Sequence, residues 1–152
     1  MPSYLTDSSI WIGAQRNAGT YLPRLLVDRL AGDEVETCVP IALEVLTGPP
    51  SGAELDRDWD AVWRHLHWLP TTEETSKRAL ELLRGLADTT AGAHRRRPID
   101  YLIAACAEAA DDVILWHWYS DFTAICEFAG IAHEPEHARA KASGLSGSRN
   151  EA

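Results

Sequence analysis

The chain has 152 residues, 45% of them hydrophobic, and a formal net charge of −9. That length and apolar content suit one domain with a real core. The negative balance excludes simple electrostatic coating of nucleic acid or membrane, though not a local basic face. The three cysteines, Cys38, Cys106 and Cys126, form no CxxC pair and read as reduced, buried, small hydrophobes of an intracellular protein. No basic segment followed by an apolar one opens the chain, and no apolar run approaches membrane-spanning length, so a cytoplasmic location without membrane contact is expected.

In chain order, Ser3 to Thr6 predicts a short strand that arrives abruptly at Asp7-Ser8-Ser9. Ile10, Trp11 and Ile12 follow, and then a helical region through Leu22, Leu25, Leu26 and Leu30 to a stop at Gly32. Thr37-Cys38-Val39 reads as a second strand, and Pro40 then opens the apolar helix IALEVLTG, closed by Gly48-Pro49-Pro50. Gly52 to His67 is polar and amphipathic, with Leu55, Trp59, Val62, Trp63 and Leu66 on one face. Thr71 or Thr72 with Glu74 or Glu73 resembles a capping start for the helix through Leu80, Leu83 and Leu86. Thr89 to Arg97 is a loop ending in Arg95-Arg96-Arg97.

The chain is organised around Pro98 to Phe122. Pro98 pre-sets a helix whose apolar face carries Leu102, Ile103, Ala105, Cys106 and Ala109. Asp111 and Asp112 end it, Val113 to Trp116 is too apolar for an exposed strand, and Asp121 opens the next helix. After Phe128 the pattern is lost. Residues 133–152, rich in Ala, Ser, Gly and charge, are expected to be a flexible tail, leaving 1–132 as the domain.

Strands separated by helical stretches indicate an α/β fold with a mainly parallel sheet. Such sheets place their ligands at the carboxyl ends of the strands. Asp7, Glu44 and Asp121 all lie just past a predicted strand, and Asp100 starts a helix that could face the same edge, whereas Asp111 and Asp112 fall at the opposite end. Two ionised carboxylates at about 4 Å repel by roughly 4 kcal/mol at an effective dielectric near 20. Three or four together therefore protonate or recruit a hard cation such as Mg²⁺ or Mn²⁺. Each acid also has a plainer reading: Asp7 and Asp121 as helix caps, Asp100 as a helix-dipole partner. Glu44, inside an apolar helix, needs a partner on any reading. His65, His67 and His94 lack a matching Cys/His cluster and read as surface or phosphate-adjacent groups.

The segments YLTDSSIWI (residues 4–12), CVPIALEVLTG (38–48), IDYLIAACA (99–107) and H-x-x-x-D-F from His117 to Phe122 resemble, in order and spacing, PIN-domain proteins of the VapC toxin type, over roughly residues 3–130. The resemblance implies a three-layer α/β/α sandwich and Mg²⁺-dependent endoribonuclease activity. The implied partners are a VapB-like antitoxin, an RNA substrate and a second copy of the chain. It matches Asp7, Glu44 and Asp100 to three of four metal-site acids. The fourth is usually the first Asp of D-x-D-F; here Tyr119 stands in its place and only Asp121 is present. Two functions follow as expectations: a toxin ribonuclease whose ion is held by Asp7, Glu44, Asp100 and Asp121, or a PIN fold weakened in chemistry that acts by binding. Arg95, Arg96 and Arg97 are candidate RNA-phosphate contacts, the plainer reading being a solvated loop. Trp59, Trp63 and Trp68, with Leu55 and Leu66, exceed what one helix needs, so part of this group is expected at an interface with the antitoxin or a second protomer.

Overall fold

The computed structural model describes residues 1–136. Five strands, β1 (Ser3–Thr6), β2 (Val35–Thr37), β3 (His67–Trp68), β4 (Val113–His117) and β5 (His133–Pro135), form one all-parallel sheet in the order β3-β2-β1-β4-β5. Among the described residues seven helices cover it as a three-layer α/β/α sandwich: α1 (Ser8–Arg16), α2 (Tyr21–Ala31), α3 (Val39–Leu46), α4 (Gly52–Ala61), α5 (Glu73–Thr89), α6 (Pro98–Glu108) and α7 (Ser120–Ala129). The predicted α/β class with a parallel sheet is the observed one. Among the described residues no helix is long and apolar enough to cross a membrane.

The core reflects a sheet covered on both faces. Leu5 in β1 and Leu115 and Trp116 in β4 are fully buried, and β4 pairs with β1 through Leu5↔Leu115 and Thr6↔Trp116. Helix α6 packs against α3, α5, α7 and β4, and its Ile103, Ala104, Ala105, Cys106 and Ala107 are all buried, so the stretch from Pro98 is central as the sequence implies. Cys38, Cys106 and Cys126 are free and buried, as small hydrophobes.

Four local expectations are corrected. The second strand is Val35–Thr37, not Thr37–Val39: the Thr37 carbonyl accepts from Leu69 N–H, which continues the ladder toward β3, while the Cys38 carbonyl already accepts from Ala42 N–H as the first helical acceptor. The helical region expected after Ile12 is two helices, the first starting already at Ser8, because Asn17 turns the chain, its side-chain amide donating to Gly13 O at 2.9 Å and its backbone carbonyl accepting from Thr20 Oγ1 at 2.7 Å. The amphipathic stretch Gly52–His67 ends in a 3₁₀ turn (Trp63–His65), and His67 begins the edge strand β3. Residues 133–136 do not belong to a tail. His133–Pro135 add a strand to β4, and Glu136 is fully buried, accepting from Trp116 Nε1 at 2.9 Å and from Tyr21 Oη at 2.5 Å. The rest of the expected tail lies outside the described residues.

Candidate metal-ion site

The chain order runs outward from β1 in both directions, to β2 and β3 on one side and to β4 and β5 on the other. The crevice at the carboxyl ends of β1 and β4 is thus where neighbouring loops diverge and a ligand can enter. Asp7 sits there. Its N–H extends the ladder to Trp116 O at 2.9 Å, and its extended backbone makes it the cap of α1, with Oδ2 accepting from Ser9 N–H at 2.9 Å. The cap reading of Asp7 is therefore right, but it uses one oxygen; Oδ1 is buried with no hydrogen-bond partner. Burial pushes the Asp7 carboxyl up, against the bonds from Ser9 and the attraction of Arg97.

Asp100, in the first turn of α6, is fully buried, and neither carboxyl oxygen has a hydrogen-bond partner. Arg97 Nη1 lies 3.9 Å from Oδ1, too far to hydrogen-bond, so it acts by charge alone. Burial, with like charge from Asp7, Glu44 and Asp121, carries the Asp100 carboxyl up to about 7, against the pull of Arg97. All four predicted acids thus share one electrostatic neighbourhood.

Glu44 and Asp121 differ from that buried pair. Glu44 is half-buried; its Oε2 accepts from Ser8 Oγ at 2.8 Å and its Oε1 from the Arg97 guanidinium. This supplies the partner that an acid in an apolar helix requires. Asp121 is not a cap: Tyr119 occupies that position, without a side-chain bond, while Asp121 Oδ1 accepts from Arg96 Nη1 at 2.8 Å. Two of the three loop arginines therefore face the acids, and only Arg95 is exposed. Tyr119, where an acid would complete the set, stands 49% exposed at the same edge. The preceding Trp118 N–H reaches Ser9 Oγ at 3.1 Å.

The donor set suits a hard cation in part. Among the described residues no three His, Cys, Asp or Glu side chains stand together at metal-ligand spacing, because guanidinium groups hold Glu44 and Asp121. Asp7 and Asp100, however, carry three buried carboxyl oxygens without hydrogen-bond partners. Mg²⁺ typically takes one or two carboxylates and keeps waters elsewhere, so this pair fits it. His65 bonds Asp60 O, His67 approaches Glu36, and the His94 carbonyl accepts from Tyr101 Oη.

Sequence reasoning missed Ser8 and Ser9, which orient Glu44 and Asp7; the only signal was their position directly behind Asp7. It also missed that Arg96 and Arg97 turn toward carboxylates, a consequence of where the loop before Pro98 passes. No curated protein matches the chain. The family model of the PIN domain matches residues 4–126 and so spans all four acids; proteins of that family are generally nucleases that use a divalent metal. On that match, and on the five-stranded parallel sheet that gathers those acids, the chain belongs to the PIN domain family.

Proposed function

We propose that the chain is the toxin of a type II toxin–antitoxin pair, a Mg²⁺- or Mn²⁺-dependent endoribonuclease acting in the cytoplasm. The observation that supports this most is the pair of buried carboxylates, Asp7 and Asp100, with oxygens left unbonded at the switch point of the sheet. When bound, the cation would supply water activation and stabilise charge on the leaving oxygen. Asp7 and Asp100 hold it, with Ser9 N–H fixing the Asp7 rotamer. Glu44 and Asp121 complete the negative field that attracts it, and exposed Arg95 reaches phosphate oxygens of the RNA. The partners in this reading are a VapB-like antitoxin and a second copy of the chain. Trp63 is buried against Trp11, with ring centroids 4.8 Å apart, but Trp59 is 39% exposed, so Trp59 is the member of the Trp group left for an interface.

One observation favours a second reading, a PIN module weakened in chemistry that acts through binding: Tyr119 replaces an acid while Arg96 and Arg97 engage two of those that remain. Cleavage of structured RNA, with Mg²⁺ and with EDTA, separates the two. Wild type is expected to cut slowly and only with the metal, and Asp7→Asn with Asp100→Asn to abolish cutting. A double variant as active as wild type would assign the activity to a contaminant and end the nuclease reading.

A further inference from the structure

Four carboxylates face two guanidinium groups at this edge, and the division is uneven. Arg96 pairs with Asp121 and also donates to Ala93 O at 3.0 Å, whereas Arg97 bonds Glu44 and also stands 3.9 Å from Asp100. Pro98 fixes the backbone directly behind Arg97, and the Arg97 carbonyl accepts from Asp100 N–H at 3.1 Å, so the base of this side chain is tied to the buried acid. The Arg97 guanidinium makes no side-chain cap bond to α6. Its place is decided by the carboxylates.

From this arrangement we infer that Arg97 is a built-in counter-ion to Glu44 and Asp100 that a divalent cation displaces when it binds. The inference rests on the metal-ion reading above and adds a competitor within the chain. A divalent ion held by Asp100 would stand beside the guanidinium, and two cations that close in a half-buried site repel. The long side chain leaves by rotamer change with the backbone anchored at Pro98, which frees Glu44 for the ion and turns a planar bidentate donor toward solvent, where RNA phosphates approach. Arg97 thus holds Glu44 and Asp100 to one cation and sets how much divalent ion is needed to open the site.

Calorimetric titration with Mg²⁺ and Mn²⁺ tests this without any activity measurement, at pH 8.5, where proton binding to the buried carboxyls competes least. Arg97→Gln keeps the stem and removes the charge, and is expected to bind the ions about tenfold more tightly or better than wild type. Arg97→Lys, which keeps the charge, and Arg95→Ala, which removes an exposed one, should stay near wild type. Wild type and Arg97→Gln binding with equal affinity, or Arg97→Lys tightening as much as Arg97→Gln, overturns the inference and leaves the metal-ion reading standing. Absence of binding by all four proteins overturns both.

Discussion

Asp100 carries a carboxyl group that is buried, unbonded and surrounded by other acids. Its pKa rises from 3.8 to about 7 on folding, so between those values the native state holds a proton that the unfolded chain releases. The sign follows: the favourable share of stability is complete below about pH 4 and is lost as pH rises through 7, at about 1.4 kcal/mol per unit. Asp100→Asn removes that dependence. Without divalent metal it is expected to exceed wild type by up to about 4 kcal/mol at pH 8, with the gap closing toward pH 4. Urea denaturation at the two pH values measures it, and a gap that does not change with pH would mean that the carboxyl is never neutral. Tyr119 gives the complementary test. On the proposed metal-ion reading, Tyr119→Asp adds an acid at the edge that already holds Asp7 and Asp100, and the affinity for Mg²⁺ is expected to rise by about tenfold or more, since even outer-shell changes at metal sites shift affinity about 10–100-fold. Unchanged calorimetric affinity would place position 119 outside the site.

Helix starts bring these residues together: α1 and α7 begin directly after β1 and β4, and α6, which leads into β4, begins at the same edge after the loop from α5. α1 is capped by Asp7, α6 begins at Pro98 and α7 begins just beyond Tyr119, so Asp7, Asp100 and Asp121 arrive there from separate parts of the chain. α5 shows how such a start is fixed. Thr72 is the cap, but its reciprocal partner is Thr75, not Glu73 or Glu74: Thr75 N–H donates to Thr72 Oγ1 at 3.2 Å, and Thr72 N–H to Thr75 Oγ1 at 2.8 Å. Thr75 is buried, so its hydroxyl has this local bond in place of water. Thr72→Ala opens the box and is expected to cost about 1 kcal/mol, read as a lower urea midpoint at unchanged slope. A loss of only a tenth or two of a kcal/mol would show that packing on α6 alone holds the start of α5.

For the molecule as a whole, β5 completes the sheet at the β4 edge. β5 pairs with β4 through Leu115↔His133, Trp116↔Glu134 and His117↔Pro135, and the Glu134 carboxylate meets Arg29 of α2 at 2.9 Å. The Arg29 guanidinium lies 3.6 Å from the Tyr4 ring centroid and 4.1 Å from that of Trp116, a cation held between two aromatic faces. A chain ending at Ala132 loses the strand, the carboxylate that pairs Arg29, and Glu136, which bonds buried Trp116 and Tyr21. It is expected to be less stable by about 3 kcal/mol or more, because a buried guanidinium loses its partner. Thermal unfolding of the shortened chain beside the full one checks this, and equal midpoints would reinstate residue 132 as the end of the domain.

The sequence by itself determined the α/β class, the apolar strand Val113–Trp116, the helix from Pro98 and the four acids, since each is written in a local signal: strand apolarity, a proline at a helix start, or a carboxylate just past a strand end. The tertiary structure decided the rest. β3 spans two residues and β5 three, with half-buried or exposed side chains, and strands that short have no periodicity to read; they exist because β2 and β4 offer unpaired edges. Which acids remain open was equally hidden. Glu44 and Asp121 resemble Asp7 and Asp100 in sequence, and they differ because a loop arriving from α5 sets Arg97 against one and Arg96 against the other. Local chemistry can nominate a carboxylate, but its charge, proton and partners depend on burial and on neighbours far away in the chain, and those are fixed only when the sheet and helices close around it.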